Sequence, residues 1–428
     1  MKKILIISYF FPPCNLTASQ RVHSWAKHLN SFGFYPIIVT RKWERHVQSF
    51  TDCHYKTSDG IQVEKNDSYE VHYCPYKPNL RDRLHTSNKL FLLKKLLSLF
   101  EIILQNISVK FCPFNNIYLK AVELLNTKQE ISATIISGNP FIQFKFGYKL
   151  HKKHNTPWIA DYRDAWTTST IGNIENNSLK KMLNSYHQYF EKKWVSTASF
   201  ITASSDPIGE GVSELVNVPQ KAIYNGYDPE DFNPVDTIKS TNQHFQISYI
   251  GTLYDGQKIE LFIQAYKRFV DTTNPKCLLL FPGLQIDKNQ YQRVTDLLAG
   301  YENYYKTTTR VPRKDILTIE KESHILLHVA WSGHEGIVAS KIYEYIGASR
   351  KVLVVPGDGG TIDEIVTKSK SGIILNSVEE TYHFLSKEYD LFITKARTNT
   401  IDPSASSLQF TREYQTKELS TILTKITS

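Results

Sequence analysis

The chain has 428 residues, of which 41% are hydrophobic and 22% charged, which is enough for two soluble domains with cores of their own. Its five cysteines are odd in number, scattered and without CxxC spacing, which argues against a zinc site or a disulfide framework and favours a reducing compartment. The formal net charge of +9 indicates an acidic partner: an anionic membrane surface, a phosphorylated substrate or nucleic acid. Nucleic acid is disfavoured, because the charge is spread along the chain without a Lys/Arg-rich tract.

The first half of the sequence alternates apolar runs with amphipathic segments. Residues 3–9 are typical of a buried parallel strand, and apolar side chains then recur at helical spacing over residues 22–32. Residues 36–40 predict the next strand, so the chain begins with a βαβ unit. Further strands are predicted at 134–137, 157–161 and 200–203. This alternation predicts a parallel sheet.

No segment of the sequence predicts export or a membrane span. The first apolar run ends at Ser8 and is followed by a Phe-Pro-Pro sequence that is no signal-peptide cleavage site. No run reaches the 18 or so apolar residues that a spanning helix needs. We therefore expect the protein in the cytoplasm, and peripheral binding at the inner face of the cell membrane is a further expectation.

Residues 89–110 predict a helix that is apolar over most of its circumference and carries three lysines near its start, Lys89, Lys94 and Lys95. One interpretation is an interfacial helix that lies on anionic lipid. The other, slightly favoured at this point, is a helix buried between a sheet and its neighbours.

The second half restarts the strand–helix alternation after a Pro-containing polar linker. Strands are predicted at 246–250, 277–281, 325–329, 352–355 and 372–375, with helices between them. The sequence therefore predicts an α/β protein with two doubly wound domains whose strand ends face a ligand cleft. The expected boundaries are an N-terminal domain at 1–225, a linker at 226–243, a second domain at 244–405, and a last helix at 406–428 that packs back on the first domain.

A ligand site is predicted in the second half, on the helix that begins near residue 340. Glu344 lies between apolar neighbours about one turn into this helix, where a carboxylate can accept two ribose hydroxyls. Ser340 and Lys341 stand at the helix start, where free N–H groups suit a diphosphate. Lys258, after Gly251 and Thr252, is a second candidate cation for the phosphates. The alternative is an ordinary capping serine with a solvated lysine and glutamate.

Three charged residues follow a predicted strand in the first half: Asp161, Arg163 and Asp164. Packing explains three charges at a strand exit poorly, so they are candidates for contacts with the sugar and the acceptor. The alternative is a structural Asp–Arg pair that pins the loop.

The first strand is followed by a Pro-containing loop that leads into a helix. Backbone N–H groups at Ala18 and Ser19 are candidates to face a phosphate, with Arg21 as the counter-charge.

Five motifs, in order along nearly the whole chain, together resemble one family. The segment KIYEYIGA at 341–348 with the strand after it resembles the sugar-nucleotide region of retaining GT-B glycosyltransferases of family four. The segment DYRDAW at 161–166 is similar to the D-[FY]-R-D-x-W segment of a bacterial surface-polysaccharide branch. The family's linker motif resembles NGYD at 225–228. The first strand of its nucleotide domain resembles YIGTLY at 249–254, and its N-terminal loop resembles YFFPP at 9–13 with Arg21.

The resemblance implies two Rossmann-like domains facing one cleft (the GT-B architecture) and a hexosyl-type transfer that retains anomeric configuration. It implies a nucleotide-sugar donor held mainly by the C-terminal domain, a glycan or lipid-linked glycan acceptor, and neither metal nor cofactor. Asp161, Arg163 and Asp164 are then the predicted catalytic residues, and Glu344 matches the second glutamate of the family's E-x7-E motif, the ribose ligand.

The sequence departs from the family at the first glutamate of that motif. The matching position is Gly336, and the nearest carboxylate is Glu335, one residue away. Either the loop shifts, or the backbone N–H groups of Gly336 and Ile337 take over the contact to the donor sugar. Two alternatives therefore stay open: a nucleotide-sugar epimerase on the same fold, and a non-catalytic subunit that binds glycan.

Overall fold

The computed structural model describes residues 1–45, 47, 53–85, 91–127, 130–169, 178–232, 244–331, 333, 336–394 and 405–428. The chain divides into two compact units. The N-terminal unit comprises Met1–Asn225 and Gln415–Ser428, and the C-terminal unit comprises Gly226–Tyr414.

The N-terminal unit is built on an eight-stranded sheet in the order β3-β4-β2-β1-β5-β6-β7-β8 within the described residues. All neighbours are parallel except β3, which runs antiparallel to β4 at the edge. Its strands are β1 Lys2–Ser8, β2 Phe34–Arg41, β3 Gln62–Lys65, β4 Glu70–Cys74, β5 Ile131–Gly138, β6 Trp158–Tyr162, β7 Phe200–Ala203 and β8 Gln220–Ala222. Its helices are α1 Ala18–His28, α2 Leu80–His85, α3 Phe91–Ile107, α4 Asn115–Asn126, α5 Gln143–His154, α6 Ser178–Val195 and α7 Asp206–Val216.

The central strands of this sheet are apolar on both faces. Ile4 and Ile6 belong to one buried cluster, and Leu5 and Ile7 belong to another. Because successive side chains of a strand point to opposite faces, the sheet has a hydrophobic core on each side. This is the doubly wound arrangement that the sequence predicts.

In the part of the C-terminal unit that the structure describes, the sheet has six parallel strands in the order β11-β10-β9-β12-β13-β14. Its strands are β9 Phe245–Ser248, β10 Cys277–Phe281, β11 Tyr305–Thr307, β12 Ile325–His328, β13 Lys351–Val354 and β14 Gly372–Ile374. The intervening helices are α8 Glu260–Thr273, α9 Lys288–Leu297, α10 Arg313–Glu322, α11 Lys341–Gly347, α12 Thr361–Ser369 and α13 Val378–Ile393, followed by α14 Ala405–Leu408 and α15 Arg412–Thr427.

The last helix, α15, begins in the C-terminal unit and continues in the N-terminal unit. Its residues Leu419, Ile422 and Leu423 lie in the same buried cluster as Ile4 and Phe200. Of the predicted linker, residues 226–232 belong to the C-terminal unit and 233–243 lie outside the described residues.

Helix α3 corrects one sequence expectation. The slightly favoured interpretation placed it in a core, but Leu92 is 75% exposed, Leu96 64% and Ile107 69%. An apolar composition cannot distinguish a buried helix from one that carries its apolar face outward, and here the face is outward. Among the described residues, no helix has the length and hydropathy needed to cross a membrane.

Candidate functional site

In the C-terminal unit, Lys341 reaches from α11 to the carboxyl end of strand β9. Its Nζ donates to the carbonyl oxygen of Ile250 at 2.9 Å and lies 3.7 Å from the ring centroid of Tyr249. The N–H of Ile250 donates to the hydroxyl of Tyr345 at 2.9 Å, so α11 holds both backbone polar groups of Ile250. Ligands of open parallel sheets bind at this edge, beyond the strand ends.

The environment of Lys341 disfavours a permanent charge. Burial lowers the pKa of Lys341 to about 7. Burial, with a smaller contribution from Lys341, lowers the pKa of nearby His328 to about 3, so this imidazole is neutral. Because the pKa of an amine rises beside an anion, an amine that titrates near neutrality can gain a proton when an anion binds next to it.

Glu344 lies on the same helix and pairs with an arginine that sequence reasoning missed. Arg313, at the start of α10, donates to Glu344 Oε1 at 2.5 Å and to Asp231 Oδ2 at 2.6 Å. Burial works against the charge of Arg313, but Glu344 and Asp231 hold its pKa above the usual range. Glu344 is half-buried, and no described residue donates to its Oε2. One carboxylate oxygen is therefore available to a hydroxyl donor.

A second carboxyl group lies close to this pair. Glu320 is fully buried, and neither of its side-chain oxygens has a hydrogen-bond partner among the described residues. Burial and the nearby charge of Glu344 raise the pKa of Glu320 well above its usual range, which keeps it neutral. Because Glu320 is neutral, it does not compete with Glu344 and Asp231 for the ion pair with Arg313.

The residues predicted to bind the donor after strand β9 differ in their surroundings. Gly251 and Thr252 directly follow Ile250, the residue that Lys341 contacts, and both are half-exposed. Lys258 is exposed at the end of the loop. The buried neighbour Gln257 organises this loop instead: its Oε1 accepts from the N–H of Tyr254 at 3.0 Å and from a tyrosine hydroxyl.

Part of the backbone at the start of α11, where Ser340 and Lys341 are the predicted phosphate contacts, is used within the helix. The N–H groups of Ile342 and Tyr343 donate to the carbonyls of Ala339 and Ser340, both at 3.1 Å, so they are not free for a ligand. The helix spans only seven residues, so its dipole is short. The side chain of Lys341 is therefore the stronger candidate for a phosphate contact at this position.

The loop before α11 holds the other predicted donor contacts. Gly336 is buried with a backbone φ of +85°, which favours glycine, and Ile337 is half-buried. Ser340 is also half-buried, and its side chain makes no cap hydrogen bond. Glu335 lies outside the described residues, so its predicted role stays a prediction.

In the N-terminal unit, the predicted catalytic contact of Asp161 is replaced by a structural one. Asp161 is fully buried; Arg21 donates to it from Nη2 at 2.7 Å and from Nε at 3.1 Å. Ser137 and Thr202, its register neighbours on β5 and β7, each donate to it at 2.8 Å. Arg21 also donates to the carbonyl of Ile223. A buried carboxylate with all these donors is not available to a substrate, and Arg21 is not available to a phosphate.

Arg163 and Asp164, which follow strand β6, differ in their contacts and exposure. The Arg163 guanidinium donates to the carbonyls of Gly138 at 2.7 Å and Asn139 at 2.9 Å, and it lies over the ring of Phe10. It therefore braces the loop after β5. Asp164 is exposed.

The residues at the start of α1 are largely used within the protein. Ser19 is buried. Its N–H donates to the carbonyl of Leu16 at 2.9 Å, and its hydroxyl donates to the carbonyl of Cys14 at 2.8 Å. The predicted phosphate contact of Ser19 is therefore corrected. Ala18 is half-buried at the first position of the helix.

Comparison with known proteins supports the fold. No protein-family model and no curated protein matches the sequence. Sucrose-phosphate synthase from Thermosynechococcus elongatus superposes with a TM-score of 0.63 at 13% identity, over 100% of this chain and 99% of that one. Anabaena HepE in complex with UDP and glucose gives 0.60 at 14% identity, over 99% of this chain and 100% of that one. A UDP-forming α,α-trehalose-phosphate synthase from Burkholderia xenovorans, in complex with glucose-6-phosphate, gives 0.62 at 11%, with 99% and 100% covered.

These similarities define the class of fold. The chain has two α/β domains, each built on a sheet of mostly parallel strands, and these proteins match it over nearly its whole length. This is the GT-B fold of glycosyltransferases, which confirms the predicted fold class. At this level of identity the likeness shows the fold alone, and activity has to be argued from the site.

Proposed function

We propose that the protein is a glycosyltransferase that moves a hexosyl group from a nucleotide-sugar to a glycan or lipid-linked glycan acceptor, with retention, in surface-polysaccharide biosynthesis. The observation that carries the proposal is the position of Lys341 and Glu344 on one short helix, with the lysine amine at the carboxyl end of β9. The two side chains stand three residues apart, so one short helix can offer a cation to a phosphate and a carboxylate to a ribose. The similar structures include complexes described with UDP-glucose and with UDP and glucose.

The chemistry assigns a role to each group. The bond between the anomeric carbon and the leaving phosphate oxygen breaks, and a bond to the acceptor hydroxyl forms on the same face of the sugar. The acceptor proton passes to the leaving phosphate. Lys341 stabilises the charge that develops on the diphosphate, Glu344 holds the ribose, and Arg313 fixes the orientation of that carboxylate.

The remaining contacts of the proposal come from loops. The backbone N–H groups of Gly336 and Ile337 are the proposed donors to the sugar, and the loop at Gly251 and Thr252 lies next to the lysine. Asp164 is the residue of the predicted catalytic group that remains exposed, so we assign the acceptor contact to it. We expect transfer without metal or cofactor, so an excess of chelator should leave the rate unchanged.

Ligand screening tests the donor site. The full chain is heated with UDP, GDP, dTDP and CMP, and with the corresponding nucleotide-sugars, and the unfolding temperature is recorded. Binding at the site predicts stabilisation by one nucleoside diphosphate and its sugar, because a ligand of the folded state raises its stability. No shift with any of them contradicts the proposal and favours the non-catalytic subunit.

Product analysis tests the reaction. With the identified donor and a lipid-linked glycan acceptor, nuclear magnetic resonance of the anomeric proton distinguishes retention from inversion. A free sugar nucleotide with an inverted ring centre, formed without acceptor, would identify an epimerase instead.

A further inference from the structure

Helix α3 carries a continuous apolar stripe on its outer side. Leu96 is 64% exposed and Phe100 59%, and exposed apolar side chains continue in both directions at helical spacing. The other members of the stripe are Leu92, Leu93, Leu99, Ile103 and Ile107. Their exposed fractions in the described part of the chain run from 39% at Ile103 to 75% at Leu92.

Polar contacts attach the helix to the N-terminal unit from other positions. Glu101 pairs with Arg81 at 3.2 Å. At the far end of the helix, Lys145 of α5 donates to the carbonyls of Gln105 at 2.6 Å and Asn106 at 2.7 Å. These polar contacts hold α3 beside its partly buried side, while the apolar side chains of the stripe face outward.

The charge around α3 is strongly one-sided. Helices α3, α5 and α6 with the turn to Phe111 contain eleven lysines and two glutamates, a surplus of nine that equals the net charge of +9 of the whole chain. Both glutamates are engaged: Glu101 with Arg81, and the buried Glu191 with the hydroxyl of Tyr162 at 2.8 Å. Helix α6 packs against α5. We call the exposed side of these three helices the lysine-rich face.

Apolar side chains also stand among the lysines of α6. Leu179 and Met182 are each 66% exposed and Tyr189 is 60% exposed, next to the exposed Lys181 and Lys192. Exposed leucine, methionine and aromatic side chains mixed with lysine are the composition of surfaces that meet anionic lipid.

We propose that the lysine-rich face docks on an anionic lipid bilayer, with the α3 stripe inserted at the boundary between headgroups and acyl chains. Lipid fits better than a second copy of the chain, because a two-fold pair would place the same lysines opposite each other. The inference does not depend on the proposed transfer reaction, since every residue in it belongs to the N-terminal unit.

Vesicle cosedimentation tests the docking surface. The full chain is mixed with vesicles of phosphatidylcholine alone, or of equal parts phosphatidylcholine and phosphatidylglycerol, at low and high salt. We expect binding to the anionic vesicles that weakens with salt. Leu96→Ser with Phe100→Ser should weaken it by about tenfold or more, because two apolar side chains lose their insertion. Lys181→Gln with Lys192→Gln should weaken it about tenfold or more, because two charges near the lipid surface are removed.

Matched variants in the C-terminal unit provide the controls. Ile286→Ser with Ile393→Ser removes two apolar side chains that are 55% and 54% exposed, and Lys288→Gln with Lys306→Gln removes two exposed charges. Both should bind vesicles as the native chain does. The lysine variants leave the apolar stripe intact, so they test the proposal even where a serine variant unfolds.

Three results would overturn the proposal. One is absence of binding to anionic vesicles by the native chain. Another is unchanged binding by both the serine and the glutamine variants of the face. The third is a native dimer that dissociates on Leu96→Ser with Phe100→Ser and does not bind vesicles, since the stripe would then be a subunit interface.

Discussion

The two units of this chain use charge in opposite ways. The N-terminal unit has 30 lysines and arginines against 18 aspartates and glutamates, whereas the C-terminal unit has 21 against 24. Much of the surplus in the N-terminal unit comes from the lysines of α3, α5 and α6. The C-terminal unit is close to neutral overall, and its informative charges are few and half-buried at the strand ends.

The same contrast appears between single carboxylates. Asp161 and Glu344 are both predicted site residues near strand or helix ends. Asp161 is fully buried and accepts hydrogen bonds from three side chains, whereas Glu344 is half-buried and accepts from one side chain. A carboxylate whose oxygens are saturated stabilises the fold, and one with a vacant oxygen can bind a ligand. The number of donors therefore separates the two roles.

The largest effect is expected from Asp161→Asn. This change leaves the buried Arg21 without its counter-charge, and it should lower the free energy of unfolding by about 3–5 kcal/mol. Urea denaturation followed by tryptophan fluorescence measures it, because five of the six tryptophans lie in the N-terminal unit.

Asp164→Asn is the matched control for that experiment. Asp164 is exposed, and its replacement should change the free energy of unfolding by less than about 0.5 kcal/mol. Similar losses for the two variants would show that the ion pair does not carry the difference between the carboxylates.

A smaller effect, on binding and not on folding, is expected from Glu344→Gln. The amide cannot accept from ribose hydroxyls as a carboxylate does, so affinity for the donor nucleotide should fall by about ten- to a hundredfold. Isothermal titration with the nucleotide found by screening measures it. Glu364→Gln, at an exposed ion pair with Lys368 in the same unit, should leave the affinity unchanged. Equal affinity of Glu344→Gln and the native chain would remove the ribose role.

The smallest effect is a pH dependence that originates at Lys341. Because its pKa is lowered to about 7, the amine is charged below that pH and neutral above it. Affinity for the nucleotide-sugar should therefore fall by up to about tenfold from about pH 6 to about pH 8. The variant Lys341→Met should bind weakly with a flat profile over the same range, whereas a slope that persists in the variant would point to another group.

The sequence pointed to some residues of the candidate site, but it could not give the partner of each charge. The segment at 340–348 pointed to Lys341 and Glu344 because a polar start, a lone carboxylate and a following buried strand are local features. Arg313 carried only a weak signal, a charged residue directly after Pro312 at a helix start, and Asp231 fell within the predicted linker. Both matter only because the fold brings them to Glu344.

By itself the sequence determined the alternation of strands and helices and the doubly wound class, because hydrophobic periodicity is encoded locally. Tertiary structure alone decided which charges meet. Arg21 finds Asp161 across 140 residues, and Lys341 finds Ile250 across 91, because strand order sets those neighbours. It also decided which way the leucines of α3 face, since composition counts apolar side chains and only packing determines whether they are covered.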